Sequence, residues 1–309
     1  MMQERIQEAL QEAFEFAGNW PEKGIVNDFI PTISNIDPDL LSVCLTDMEG
    51  NTCFLGDTDY RYTLQSISKA VMLAYCLEHV PEDLLFSRVG VEPCGDHFND
   101  IYRLEKFSRV PSNPFINAGA ISMSGCLPGK NLEDKYERFR AFAGSLLGNP
   151  GLDYSREVCE CETETAHKNR AIAYMLLDSG VCEGDPVEYL ELYYRGCAFL
   201  VSTPEVSRLG AVLAADGFDP VAKRQLISPK TSHTVRALIA GCGLYEETGA
   251  FNIEVGIPAK SGSSGVIMAA ARKKAGIAVF SPGLDPVGNS VRGMKALSFL
   301  SEKLDLRTM

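Results

Sequence analysis

The pattern of apolar and polar positions divides the chain into strand-like ends and a helical middle. Apolar stretches at 41–45 and 52–55 flank a polar turn and predict a β-hairpin. Two further apolar stretches, 265–271 and 277–280, predict adjacent strands near the other end of the chain. Helical periodicity and end signals predict helices over residues 1–17, 133–147, 169–177, 186–202, 203–217, 228–243 and 290–304.

The order of these elements predicts an α/β fold of the α+β type, in one domain that spans 1–309. Strands from both ends would form one antiparallel sheet flanked by the terminal helices, because each apolar face must be buried against another element. Residues 1–79 and 226–309 then make the sheet-containing part, and residues 80–225 make an inserted, mainly helical subdomain.

A serine and a lysine stand one helical turn apart at the start of the most apolar helix. Ser66 and Lys69 precede residues 71–77, which are all apolar or aromatic, so this helix is predicted to be buried. Residues three apart share a helix face, and burial lowers the pKa of a lysine until it can take a proton from a serine hydroxyl. The free N–H groups of the helix start would suit a developing oxyanion. A helix cap with a solvated lysine would give the same spacing.

A second lysine motif lies 194 residues after Ser66 (260 − 66). An edge strand at Lys260, Ser261 and Gly262 would place backbone N–H groups beside Ser66 and a second cation near Lys69, and like charges lower the pKa of a lysine. Alone, Lys-Ser-Gly is also typical of a turn that enters a strand. Combined with Ser-x-x-Lys, it is similar to the motifs of serine β-lactamases and penicillin-binding proteins.

Charge and composition indicate which partners the chain can bind and in which cellular compartment it works. The 309 residues carry 29 Lys and Arg against 41 Asp and Glu, and this net charge of −12 argues against binding to nucleic acid or to anionic membranes. No apolar stretch is long enough to span a membrane, and the first residues do not form a secretion signal. The ten cysteines lack metal-site spacing, so we expect reduced thiols in a cytoplasmic protein.

Five motifs, in this order and spacing, resemble those of the serine-dependent glutaminase family. They are Gln65-Ser66-Ile67-Ser68-Lys69, Asn113-Pro114-Phe115-Ile116-Asn117-Ala118-Gly119-Ala120-Ile121, Cys242-Gly243-Leu244-Tyr245, Pro258-Ala259-Lys260-Ser261-Gly262 and Leu284-Asp285-Pro286-Val287-Gly288-Asn289-Ser290. The resemblance runs from about residue 26 to the last predicted helix. It implies a β-lactamase-like fold and hydrolysis of the side-chain amide of L-glutamine. It also implies that no metal or organic cofactor is needed, and that the chain forms a homodimer or homotetramer.

The resemblance also implies a role for single residues. Ser66 resembles the nucleophile, Lys69 its general base, and Tyr245 the tyrosine that helps to pass protons to the leaving ammonia, with Lys260 as the second cation. Backbone N–H groups of Ser66 and Ser263 would stabilise the oxyanion. The amino-acid end of glutamine would be held by Asn117, Glu162, Asn169 and Tyr193.

The chemistry of this last set agrees with that role, although each member has a structural interpretation as well. A carboxylate at Glu162 suits an α-ammonium group, and amide or phenol donors suit an α-carboxylate. Glu162 and Asn169 are seven apart (169 − 162), so they would face one pocket if they lay on one helix. Without the resemblance, Asn169 is typical of a helix N-cap, Tyr193 of a core position and Glu162 of a solvated turn.

The chain departs from the family pattern at two positions. Many members have a tyrosine where this chain has Phe29, and members usually have a valine where it has Ser263. Phe29 has no hydroxyl, so the hydrogen bond from that tyrosine to the substrate is lost. Such a hydrogen bond is worth about 0.5–1.5 kcal/mol. We therefore expect weaker glutamine binding or a somewhat different substrate preference, whereas a backbone donor at Ser263 tolerates the change of side chain.

Two other functions fit the same motifs. A related amidase or β-lactamase-type hydrolase would share the serine and the lysine, but a β-lactamase or D-alanyl-D-alanine peptidase normally works outside the cytoplasm. An amino-acid-binding protein of the same fold, with little or no activity, would be compatible with Phe29 and Ser263. Assays of ammonia release and nitrocefin hydrolysis separate these functions.

Overall fold

Strands from both ends of the chain meet in a five-stranded antiparallel sheet. The structure is a computed structural model, and it describes residues 2–28, 30, 33–93 and 109–309. Its strands are β2 (Ser42–Asp47), β3 (Thr52–Gly56), β8 (Ala259–Gly262), β9 (Val266–Ala271) and β10 (Ala275–Phe280). Their spatial order is β3-β2-β10-β9-β8, so β8 forms one edge.

Shorter strands form two-residue pairs outside this sheet. The pairs are β1 (Ile25–Val26) with β11 (Gly283–Leu284), β4 (Tyr62–Thr63) with β5 (Leu200–Val201), and β6 (Phe218–Asp219) with β7 (Arg224–Gln225).

Helices make up much of the remaining described chain. Two 3-10 turns, Gln65–Ile67 and Tyr245–Glu247, interrupt the regular elements near the candidate site. The α-helices are α1 (Met2–Gly18), α2 (Ser68–His79), α3 (Glu82–Arg88), α4 (Asn117–Ser124), α5 (Leu132–Leu147), α6 (Arg156–Thr165), α7 (His167–Asp178), α8 (Pro186–Cys197), α9 (Thr203–Ala214), α10 (Pro229–Cys242), α11 (Thr248–Glu254) and α12 (Val291–Lys303).

The sheet separates two hydrophobic cores, because successive side chains of a strand point to opposite faces. Ile267 and Ala269 face a core that includes side chains of α1 and α12. Val266 and Met268 face a larger core shared with the helices of the middle of the chain. Helix α9 lies against the sheet, and a Cβ on Gly276 would overlap the backbone nitrogen of Ala211. The sheet is therefore covered on both faces, and β8 remains an edge that packs against the turn Gln65–Ile67 and α10.

Most of the predicted elements are confirmed, with small differences at their ends. The hairpin at 41–55 is β2 and β3, and the helix predicted over 228–243 is α10, whose N-cap Ser228 accepts a hydrogen bond from Thr231 N. The helix predicted over 186–202 is wrong in its last turn. It ends at Cys197, because Leu200–Val201 pairs with Tyr62–Thr63 as a strand. The helix predicted to reach residue 217 ends at Ala214.

The division into a sheet-containing part and a helical subdomain stays a prediction. Helix α9 belongs by sequence to the segment 80–225, yet it packs on β2, β9 and β10. Among the described residues, no helix is long and apolar enough to cross a membrane. The nine cysteines that the structure describes are free thiols.

Candidate active site

The Ser66 hydroxyl lies where a tight turn leads into a buried helix. The 3-10 turn Gln65–Ile67 continues directly into α2, and residues 68–76 of that helix are buried, as the apolar run predicts. Gln65 has a φ of 49°, which is unusual for a residue with a side chain. Ser66 itself is half-buried, and its side chain is hydrogen-bonded to that of Tyr245. The chain thus presents one partly accessible hydroxyl at the start of a rigid helix.

Lys69 is fully buried one turn further along the same helix. Its Nζ donates to Asn117 Oδ1 at 2.7 Å and to the Phe115 carbonyl oxygen at 3.1 Å. Within the described residues, its hydrogen bonds go to these two oxygens and not to Ser66. Burial lowers the pKa of Lys69 to about 8, against the opposing effects of Cys197 and the Glu162 carboxylate. This lysine can therefore lose its proton close to neutral pH.

The edge strand β8 brings a second buried lysine to the same place. This strand packs against the turn Gln65–Ile67, as predicted from the Lys-Ser-Gly motif. Lys260 Nζ donates to the carbonyl oxygens of Gly243 and Ser261, each at 2.8 Å, and lies 4.3 Å from the ring centroid of Tyr245. Burial holds the pKa of Lys260 well below its usual value, and the nearby positive charge of Lys69 adds to the effect.

Tyr245 lies against both Ser66 and Lys260. It begins the second 3-10 turn with a φ of 55°, so its backbone also has an unusual conformation for a residue with a side chain. Burial raises the pKa of Tyr245 to about 12, although the hydrogen bond with Ser66 acts in the opposite direction. The phenol therefore keeps its proton at neutral pH and can donate it through a hydrogen bond.

Three buried polar side chains from three helices meet beside Lys69. Asn117 of α4 accepts the Lys69 hydrogen bond on Oδ1, and the same oxygen accepts from Tyr193 OH of α8 at 3.3 Å. Asn117 Nδ2 donates to Asn169 Oδ1 of α7 at 2.9 Å. These contacts fix which way the Asn117 amide points, since its oxygen faces two donors and its nitrogen faces an acceptor.

Glu162 contributes an unsatisfied carboxylate oxygen to this region. Its Oε2 is buried without a hydrogen-bond partner among the described residues. Burial raises the pKa of Glu162 to about 8, and the positive charge of Lys69 opposes that rise. Glu162 lies on α6 and Asn169 on α7, with Ala166 between the two helices, so they do not share one helix as their spacing suggested.

Ser263 lies on the turn between β8 and β9 and reaches back to the serine turn. Its Oγ donates to Gln65 Oε1 at 3.2 Å. The structure therefore places Ser263 against Gln65, the residue that precedes Ser66. Lys69 contacts the polar group around Asn117. Phe29, the other departure from the family pattern, lies outside the described residues.

Comparison with known proteins shows the family of this chain. The family model described as glutaminase matches residues 24–309. This chain belongs to the glutaminase family. A glutaminase from Bacillus cereus (strain ATCC 10987 / NRS 248) is 40% identical over 293 residues, which cover 94% of this chain and 95% of that protein.

Solved structures of the glutaminase family have the same fold. One titled a probable glutaminase superposes with a TM-score of 0.94 at 34% identity and covers 98% of each chain. Another, a probable glutaminase from Bacillus subtilis complexed with 6-diazo-5-oxo-L-norleucine, has a TM-score of 0.86 at 31% identity and covers 98% of this chain and 96% of its own. The predicted β-lactamase-like fold class is thereby confirmed.

The sequence motifs of the glutaminase family do not reveal every group at the site. The Phe115 carbonyl oxygen and the Gln65 side chain lie inside motifs of the family pattern, but their contacts depend on the fold. Cys197 gave no sequence signal, yet its Sγ lies 3.6 Å from Ser68 Oγ. Asn27, which donates to the Ser263 carbonyl oxygen at 3.0 Å, comes from the far end of the chain and was also missed.

Proposed function

We propose that this chain hydrolyses the side-chain amide of L-glutamine to L-glutamate and ammonia through an acyl-enzyme on Ser66. The observation that carries the proposal is the pairing of a half-buried serine hydroxyl with a fully buried lysine one turn away, whose pKa is lowered to about 8. Membership of the glutaminase family over nearly the whole chain supports the choice of substrate.

In the first step, neutral Lys69 takes the proton of Ser66 Oγ as that oxygen attacks the side-chain carboxamide carbon. Lys69 and Ser66 share a helix face, so a change of the lysine rotamer carries Nζ from Asn117 to Ser66. The carbonyl oxygen becomes an oxyanion, which accepts hydrogen bonds from the backbone N–H groups of Ser66 and Ser263. Each such donor is typically worth about 2.7–4 kcal/mol in the transition state.

In the second step, the carbon–nitrogen bond breaks and ammonia leaves with a proton from Tyr245 or Lys69. The buried Lys260 amine lies over the Tyr245 ring and holds that side chain beside Ser66. The positive charge of Lys69 in turn favours a neutral Lys260 amine. Water then attacks the acyl-enzyme, glutamate is released, and the Ser66 hydroxyl recovers its proton.

The amino-acid end of glutamine binds in the polar group around Asn117. The unpaired Glu162 Oε2 accepts a hydrogen bond from the α-ammonium, which supplies the partner that this oxygen lacks. The remaining N–H groups of the Asn117 and Asn169 amides provide donors for the α-carboxylate, and the Tyr193 hydroxyl becomes a third donor when it turns away from Asn117 Oδ1. Because all three side chains are buried and linked to one another, their positions are set before the ligand binds.

The direct experiment is an assay of ammonia release from L-glutamine, with L-asparagine, D-glutamine and nitrocefin as alternative substrates. We expect release from L-glutamine and little reaction with the other three. Hydrolysis of nitrocefin in place of glutamine would favour a β-lactamase-type hydrolase. A rise in melting temperature with glutamine, without any ammonia, would favour the amino-acid-binding protein.

The pH dependence should show two groups in the free enzyme and one in the complex. The free enzyme must have a neutral Lys69 and an ionised Glu162, and the pKa of each is about 8. Because both groups lose a proton as the pH rises, kcat/KM should increase up to about pH 8. Bound glutamine keeps Glu162 ionised, so kcat should follow Lys69 alone with a shallower slope. Initial rates between pH 6 and 9.5 test this, and activity that falls as pH rises through 8 would contradict it.

The Glu162→Gln variant should bind glutamine more weakly with little change in kcat. A hydrogen bond to a charged group is worth about 1.5–3 kcal/mol, so KM is expected to rise roughly tenfold to a hundredfold. Glu160→Gln is the matched control, because Glu160 is exposed on the same helix. Equal KM values for the two variants would remove Glu162 from the ammonium site.

The assembly and the compartment are also proposals. We infer a homodimer or homotetramer and a cytoplasmic location, on the basis of the family resemblance together with the reduced thiols. Light scattering on the purified full chain measures the assembly, and a monomer at micromolar concentration would contradict it.

A further inference from the structure

A short chain of hydrogen bonds joins the turn that carries Ser66 to the turn that carries Ser263. Ser263 Oγ donates to Gln65 Oε1 at 3.2 Å, and Gln65 Nε2 donates to Thr63 Oγ1 at 3.2 Å. From the other side, Asn27 Nδ2 donates to the Ser263 carbonyl oxygen at 3.0 Å. Ser263 is therefore held through both its side chain and its carbonyl group.

Both partners of Ser263 are fixed by other parts of the fold. Gln65 is buried and directly precedes Ser66 in the 3-10 turn. Asn27 is also buried and directly follows β1, which pairs with β11. A backbone has two soft dihedral angles per residue, so anchoring the side chain and the carbonyl of Ser263 leaves its N–H little freedom to turn.

We propose that the Ser263 side chain is a positioning group, which holds the Ser263 N–H at a set distance from the Ser66 N–H, with Asn27 as a second support. The inference rests on the proposed function, because these two N–H groups are the proposed donors to the oxyanion. Such donors are effective when they are already in place before the charge develops.

The hydrogen bond from Ser263 to Gln65 depends on a residue that departs from the family pattern. A valine, which the family pattern leads one to expect at this position, has no hydroxyl to donate. Replacing the family's valine by Ser263 therefore adds a hydrogen bond between the turn that joins β8 to β9 and Gln65, the residue that precedes the nucleophile. Its contribution is expected in turnover rather than in substrate binding, since the Ser263 N–H is the proposed donor to the oxyanion and not to the amino-acid end of glutamine.

The test compares kcat and KM for L-glutamine in Ser263→Ala, Ser263→Thr and Ser264→Ala. We expect Ser263→Ala to lower kcat about threefold to tenfold, the effect of one hydrogen bond, with KM and the pH midpoint unchanged. Ser263→Thr keeps the hydroxyl and should restore most of the kcat that Ser263→Ala loses. Ser264 is the matched control, because its Oγ is buried in the same turn without a hydrogen-bond partner among the described residues, and Ser264→Ala should retain kcat.

A double-mutant cycle shows whether the effect passes through Gln65. In a Gln65→Met background, Ser263→Ala should cause little further loss of kcat, because its acceptor is already absent. Asn27→Ala should lower kcat in the same direction. The positioning role would be overturned if Ser263→Ala kept wild-type kcat or if the two effects in the cycle were additive. It would also be overturned if the loss of kcat came with an equal rise in KM. None of these outcomes would change the proposed function. An inactive wild type would overturn the proposed function, and the positioning role with it.

Discussion

Ammonia release from L-glutamine is expected to fall about 10⁴-fold or more in the Ser66→Ala variant, the scale seen when a hydrolase loses its nucleophile. The variant keeps the backbone N–H of residue 66 and the buried lysine, but no oxygen remains to form the acyl-enzyme. Because Ser66 is only half-buried and has one described side-chain partner, Tyr245, the fold should survive the change. Initial rates at pH 8 together with the melting temperature measure both effects.

Ser68→Ala is the control for this variant. Ser68 lies two residues later, and its Oγ contacts Cys197 Sγ rather than any group of the proposed reaction. It should keep activity within a few-fold of wild type. Substantial turnover by Ser66→Ala would move the nucleophile elsewhere and remove the acyl-enzyme from the mechanism.

Replacing Lys69 should cost about 10²–10⁴-fold in kcat, the usual contribution of a general base. Lys69→Arg keeps a positive charge but cannot lose its proton near neutral pH, so it should be as inactive as Lys69→Met. The pH dependence of the residual kcat should also lose the midpoint that Lys69 sets, near 8. Rates across the pH range for both variants measure this prediction.

Melting temperatures distinguish this loss from a folding defect. Lys69→Met removes the cost of burying a cation but leaves the Phe115 carbonyl oxygen without its donor, so these effects oppose each other and the melting temperature should stay close to that of wild type. Its acceptor Asn117 Oδ1 keeps the hydrogen bond from Tyr193. If Lys69→Arg kept a tenth or more of wild-type activity, Lys69 would act through its charge and not as a base.

The parts of the site that the sequence predicts are those with a strong local signal. The apolar run after Lys69 is sufficient to predict burial, and burial is the main reason that the pKa of this lysine is lowered. The position of Lys-Ser-Gly before an apolar strand predicts that β8 reaches the serine turn, because an edge strand has a free side for neighbours. The fold class follows from the strands at both ends of the chain.

The parts that the sequence does not predict depend on contacts between distant segments. The sequence Gly196-Cys197-Ala198-Phe199 is apolar and periodic, and it contains no signal for the end of a helix. The helix ends there because Leu200 pairs with Thr63 in a strand. The hydrogen bond between Ser66 and Tyr245 joins residues 179 positions apart (245 − 66), and only the assembled sheet brings them together. The break between α6 and α7 at Ala166 has no proline or glycine to announce it.

The left-handed backbone at Gln65 and Tyr245 has a consequence for the evolution of heat resistance in this chain. A residue with a side chain costs about 1–2 kcal/mol in that conformation, and glycine adopts it without the clash. Glycine at either position would therefore relax the backbone, but it would remove the Ser263 acceptor in one case and the phenol beside Ser66 in the other. Selection for survival on heating and selection for turnover would thus choose different residues at these two positions.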